Sequence, residues 1–150
     1  MPERWRFTIE HRDPSTISRD HLHAALSAVL GHDGADKAWS CSQARVVADG
    51  VASFEVGCLS PEACRGAGAF GEAVRRGTVR LGHHPVGGLV GEPDRVAARS
   101  WGQMVDGAVP AAALRLRFEE PVTWVNDGLH HPFPLLGSVV RSWKRSWRWA

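Results

Sequence analysis

Near the start of the chain, "RWRFTIEH" alternates Trp5, Phe7 and Ile9 with Arg6, Thr8 and Glu10. That period of two predicts a strand with one buried face. The period then lengthens. Leu22, Leu26 and Val29 fall at i, i+4 and i+7, which predicts a helix from Arg19 to Leu30, with Ser18 as its cap and Gly31 as its stop. Residues 39–47 and 51–59 read as two strands joined at Asp49-Gly50, a hairpin dipeptide. Ser60, Pro61 and Glu62 then supply a cap, a first helical position and a first-turn acid. The helix they open runs to about Arg76 and stops at Gly77. "TVRLGHHPVGGLV" follows as an interrupted strand or hairpin.

The predicted order is β-α-β-β-α-β, so the fold class is α+β, a ferredoxin-like βαββαβ domain over residues 1–91. Residues 92–112 carry Ala, Gly and Pro and read as a linker with one short helix. Residues 113–150 read as a strand ("ALRLRFEEP"), a turn-rich loop and a basic amphipathic helix over 134–149, the opening of a second ferredoxin-like domain.

Composition adds limits. With 150 residues, 43% hydrophobic and 23% charged, the chain is globular rather than disordered. A net charge of +2 is too small to indicate nucleic acid by itself. Its placement carries more, because "RSWKRSWRWA" holds Arg141, Lys144, Arg145 and Arg148 with no acid. Cys41, Cys58 and Cys64 form no CxxC, and three is odd, which speaks against a disulfide framework or a cysteine zinc site. The first residues are charged where a secretory signal needs an apolar run, and no stretch approaches the ~18 apolar residues of a membrane span. The expectation is a cytoplasmic protein that makes no use of a membrane.

Several motifs invite chemistry. "GAGAFG" at 66–71 matches GxGxxG, but the fingerprint needs its first glycine at a strand–helix turn. Here the cap is Ser60, and the glycines fall inside the helix, where they permit close packing or loosen it. His21 and His23 point to different helix faces. The pairs His83-His84 and His130-His131 stand beside prolines in turns, and no HExxH or comparable spacing exists. No metal and no cofactor is expected. In the last helix Leu136, Val139 or Val140, Trp143 and Trp147 share one face, while Arg141, Lys144, Arg145 and Arg148 share another. That basic face is either solvated or a phosphate-contacting surface. His32 and Lys37 share a Gly-containing turn in "LGHDGADKAWS". The turn is either a solvated loop or a site where an imidazole moves protons near neutral pH and an ammonium steadies a phosphorane.

Three segments together resemble a known family. "LGHDGADKAWSCSQA" looks like a His-containing turn followed by Lys-Pro-aromatic and a Ser strand. "FEVGCLSPE" with "TVRLGHHPVGGLV" looks like the next strand, second helix and Leu-Gly strand. "LRLRFEEPVTWVNDGLHHPFPLLGSVVRSWKRSW" resembles a Phe-x-x-Pro-Thr-x-aromatic, Pro-x-Pro and Arg-x-Trp pattern opening a second domain. The family is the CRISPR-associated endoribonucleases that process repeat RNA, the sixth CRISPR-associated protein family, in the RAMP superfamily. The resemblance implies metal-independent cutting of precursor CRISPR RNA. The ribose 2′-hydroxyl attacks the adjacent phosphate and leaves a 2′,3′-cyclic phosphate and a 5′-hydroxyl. The family's catalytic histidine maps onto His32 as general acid or base, and its lysine onto Lys37 as transition-state stabiliser. RNA would be held by shape, phosphate contacts and stacking, with Arg141, Lys144, Arg145 and Arg148 on phosphates and Trp39 as a stacking candidate.

Departures are visible. Ala38 stands where the family has proline, Val122 is inserted before Thr123, and the family's C-terminal Gly-rich loop has no counterpart. The second domain begins without being completed, from which a homodimer, or pairing with subunits of a CRISPR effector complex, is an expectation. Two other readings stay open: a non-catalytic repeat-RNA-binding RAMP protein, and a ferredoxin-like protein-interaction module.

Overall fold

The computed structural model describes residues 1–31, 38–109, 124–126, 129–131, 137 and 140. Strand β1 (Glu3–Glu10) buries Phe7 and Ile9 and exposes Arg4, Arg6 and Glu10, as its alternation requires. Helix α1 (Arg19–Leu30) buries Leu22 and Leu26. Its cap is reciprocal. The Ser18 hydroxyl accepts from the His21 N–H at 3.2 Å, and His21 Nδ1 accepts from the Ser18 N–H at 3.4 Å. A histidine thus performs the role that glutamate usually has in a capping box. The helix stops at Gly31, whose φ of 82° suits a residue without a Cβ.

Strands β2 (Trp39–Cys41) and β3 (Arg45–Ala48) are two segments along one side of β4 (Val51–Cys58). Helix α2 (Pro61–Arg75) is capped by the Ser60 side chain, which accepts from Ala63 N–H at 3.2 Å. Past α2, β5 (Arg80–Leu81) and β6 (His84–Pro85) form a small antiparallel pair. Strands β7 (Gly88–Leu89) and β8 (Asp94–Ala98) both pair antiparallel with β1, β7 at its end and β8 at its start.

The sheet order is β2-β4-β1-β7, with β3 also on β4 and β8 also on β1. Counting each broken strand once, the third strand lies between the first and second, and the fourth lies beside the first. Every pairing is antiparallel. That is the ferredoxin-like α+β arrangement. Leu22 and Leu26 of α1, and Ala67, Phe70 and Val74 of α2, join Phe7, Ile9, Phe54 and Val56 of the sheet in one core. Phe7 and Phe54 stack at 5.5 Å, and Phe70 meets Phe7 edge-on at 5.3 Å. A Cβ built on Gly66 would lie 2.8 Å from Leu30 Cγ, whereas one on Gly68 meets nothing within 4 Å. Gly66 therefore permits the close approach of α1 and α2, and Gly68 has no such role.

Two expectations are corrected. Residues 92–112 are not simply a linker, because β8 lies within them and completes the sheet. The first unit extends over Met1–Asp106 and includes a short helix α3 (Trp101–Asp106). Gly91, with φ 77°, and Pro93 interrupt the fourth strand without ending the domain. In the second unit, Gly107–Ala150, residues expected in a turn-rich loop form β9 (Trp124–Asn126) paired antiparallel with β10 (Leu129–His131). His130 and His131 therefore lie in a strand, as does His84. The expected strand over 113–121 lies outside the described residues. So does the helix over 134–149 except for Gly137 and Val140, which are helical and exposed.

Candidate functional site

α1 ends at Leu30 and β2 begins at Trp39, so residues 32–37 are the connection between them. His32 and Lys37 belong to this connection and lie outside the described residues. So do Arg141, Lys144, Arg145 and Arg148. What the structure does describe is the neck. The Trp39 indole N–H donates to the Gly31 carbonyl at 3.1 Å. The Leu59 N–H donates to the Ala38 carbonyl at 2.8 Å. Gly31 N–H is itself held by Ser27 O at 3.0 Å.

Trp39 does not have the position expected of a stacking platform. It is 5% exposed and faces the core opposite Cys58. Its neighbour along the strand, Ser40, is exposed. The alternation Trp39–Ser40–Cys41 follows the strand period and turns the indole inward. The His23 ring lies against it, with centroids 5.2 Å apart and planes at 35°.

The other helix histidine has structural work. His21 closes the α1 cap, and its ring fills the space above Gly82, where a Cβ would sit 2.9 Å from His21 Cε1. Sequence reading missed His11. It is 4% exposed, its Nδ1 accepts from Asp13 N–H at 3.2 Å, and its ring meets His84 edge-on at 5.8 Å. Its Nε2 is buried with no hydrogen-bond partner among the described residues. The signal was present, because His11 continues the Phe7–Ile9 alternation on the inner face.

Thiol chemistry has no support here. Burial, then the neighbouring Cys64 and Glu3, push the Cys58 thiol up to about 12. Cys64 is also raised, chiefly by burial and then by Glu3. Thiols held protonated are poor nucleophiles. No group of three or more His, Cys, Asp or Glu among the described residues could hold a metal ion.

The helix-free face of the sheet carries a cleft of about 380 Å³ lined by Arg6, Ser42, Gln43, Arg45, Ser53 and Glu55. Glu55 stands between two cations there, 2.8 Å from Arg6 Nη2 and 3.4 Å from Arg4 Nε. A second, more apolar cleft of about 430 Å³ includes Pro2, Gly57, Cys58, Leu59 and Met104. Among the described residues no helix is long and apolar enough to cross a membrane.

No protein-family model and no curated protein matches the sequence. Among solved structures, a Cas6 product complex is similar, with 16% identity and a TM-score of 0.45. The similarity covers 57% of this chain and 37% of that one, so the chain spans well under half of that structure's length. The ferredoxin-like assignment stands on the strand order and connectivity described above.

Proposed function

We propose that this chain is a metal-independent endoribonuclease that cuts precursor CRISPR RNA within its repeats. The observation that carries the reading is the place of residues 32–37 in the topology. They connect the first helix to the second strand of a ferredoxin-like domain, which is where the resembled family keeps its histidine. In this reading His32 is the general acid or base and Lys37 steadies the charge that builds on the phosphorane. The nucleophile is the substrate's own 2′-hydroxyl, so DNA is no substrate. The products are a 2′,3′-cyclic phosphate and a 5′-hydroxyl. Arg141, Lys144, Arg145 and Arg148 supply phosphate contacts, and their binding weakens steeply as salt rises.

The test is incubation of the chain with end-labelled repeat RNA in EDTA, followed by mapping of the product ends. A single cut leaving a cyclic phosphate, lost in His32→Ala while RNA affinity is kept, is the expected result. Equal cutting by His32→Ala removes His32 from the mechanism. Tight binding without cutting supports a non-catalytic RNA-binding protein instead, and neither binding nor cutting supports the interaction module.

A further inference from the structure

The two outer edges of the six-stranded sheet are protected differently. On one, β8 opens with Asp94 and Arg95, and its valine, Val96, is half-buried. On the other, β3 pairs among the described residues only with β4, and all four of its residues are exposed. Val46 and Val47 are 55% and 57% exposed. A strand with one buried face shows every second side chain to water, yet here both faces are open. Val46 stands opposite the buried Ala52, on the helix side, and Val47 lines the open-face cleft. The short turn Pro14–Thr16 approaches β3 and still leaves both valines more than half exposed. An edge strand also directs alternate N–H and C=O groups away from its single partner. Lysine and proline, which blunt natural edges, are missing from residues 45–48. A register shift between Val46 and Ala48 marks a bulge, which shortens the ladder that this edge can offer.

We infer that β3 is a self-association edge, and that its occupant is β3 of a second copy of this chain, paired antiparallel. The charge order along the strand selects that occupant. "RVVAD", residues 45–49, has a cation at one end, an anion at the other and two valines between. Antiparallel pairing about Val47 sets Arg45 of each copy opposite Asp49 of the other, and it brings the exposed valines together. Parallel pairing in register would set Arg45 against Arg45 and Asp49 against Asp49. Opposite charges across a strand pair stabilise it and like charges oppose it. Charge therefore favours the antiparallel arrangement, which is also the one that closes as a two-fold dimer. The two sheets then continue as one. The contact is a few residues a side, well under the ~1,200 Å² of a stable interface, so the dimer is transient and half-formed only at about 0.1 mM. Every pairing residue belongs to the first unit, and the pairing is independent of the cleavage proposed above.

The experiment is sedimentation equilibrium of the full-length chain over a range of concentrations. It compares wild type, Val47→Lys, Arg45→Asp and the double exchange Arg45→Asp/Asp49→Arg, with circular dichroism checking that each is folded. The wild type is expected to dimerise reversibly with a Kd on the order of 0.1 mM. Val47→Lys and Arg45→Asp should associate at least tenfold more weakly, and the double exchange should return to within threefold of wild type. A wild type that stays monomeric well above that concentration overturns the inference. A dimer unchanged by Val47→Lys also overturns it, since association then runs through another surface. A double exchange no better than Arg45→Asp overturns the antiparallel pairing. If a variant does not fold, hydrogen exchange on the wild type decides without substitution. Amides of residues 45–48 that exchange more slowly in the concentrated sample than in the dilute one support the pairing, and equal exchange in both overturns it.

Discussion

Strands β1 and β4 present two faces in one register, and the faces are held by different forces. On the helix side Phe7 pairs with Phe54, both no more than 2% exposed, and Phe70 packs against their rings. One position along, on the open side, Arg6 pairs with Glu55, whose side chains are 45% and 29% exposed. The backbone pairing is the same. The first pair excludes water and gains from burial and ring packing, about 1.5–3 kcal/mol for each large side chain. The second stays wet, and exposed ion pairs contribute about 0–1 kcal/mol. The helix side therefore holds the fold together, and the open side is free to vary without unfolding it.

The helix side breaks most easily at Phe70, which belongs to α2 and meets both strands. Phe70→Ala is expected to cost about 3–5 kcal/mol, through lost burial and the cavity left behind. The fall in the denaturant midpoint, with an unchanged slope, measures it. A loss below about 1 kcal/mol would mean that the aromatic trio is not the centre of this core.

The same side gives a pH dependence. Cys58 is fully buried, and its thiol rises from the ordinary 9.0 to about 12. Because the folded chain holds this proton more tightly, the stabilisation is complete below pH 9. It is lost as pH rises from there towards 12. At pH 10.5 the loss is about 2 kcal/mol, from ~1.4 kcal/mol per unit. The chain has no tyrosine, so no phenol titrates across this window. Denaturant midpoints at pH 8 and pH 10.5 should differ for wild type and differ less for Cys58→Ala. Identical slopes for both would place the alkaline loss elsewhere.

Local signals in the sequence gave the two helices and missed the far edge of the sheet, and the reason is range. Ser18, Gly31, Ser60 and Pro61 act on backbone within a turn of themselves, so each helix start and stop could be read directly. The partnership of β8 with β1 spans more than eighty residues, and Gly91 and Pro93 within it looked like a linker. Trp39 was misjudged for a different reason. An aromatic beside a Lys-containing turn suggested stacking, although its alternation with Ser40 and Cys41 already marked the inner face. His11 carried the same overlooked alternation. His32 and Lys37 are the sequence's proposal for the site, and both lie outside the described residues. The neck that joins Gly31 to Trp39 depends on an indole reaching across the connection, and no local pattern encodes that.

Within α2 the comparison can be sharpened with one methyl group. Alanine in place of a helical glycine gains about 1 kcal/mol of propensity when nothing opposes it. At Gly68 nothing lies within 4 Å of the new Cβ, so Gly68→Ala should stabilise by about 0.5–1 kcal/mol. At Gly66 the new Cβ meets Leu30 Cγ at 2.8 Å and Leu30 Cα at 3.3 Å. Part of that obstacle is backbone, so α1 must move. Gly66→Ala should destabilise by about 1 kcal/mol, with the overpacking cost exceeding the propensity gain. Thermal midpoints that shift in the same direction for both variants would show that the helices do not pack through Gly66.

The open side should give the smallest effect, with the sign of its charge as the useful readout. Glu55 accepts two hydrogen bonds from Arg6, at 3.2 and 2.8 Å, and lies near Arg4. Glu55→Gln keeps the shape and one acceptor oxygen and removes the negative charge. Since these side chains are partly exposed, the stability cost should stay under about 1 kcal/mol and shrink further in 0.5 M salt. The same change leaves Arg4 and Arg6 with less neutralising charge, and Arg6 lines the cleft with Ser42 and Ser53. If RNA reaches this face, Glu55→Gln should bind it more tightly at low salt and with a steeper salt dependence. If affinity and salt slope stay at wild-type values, phosphates do not approach the open face. The basic residues 141–148 then remain as the contact surface to test, and the two faces of the sheet differ in packing alone.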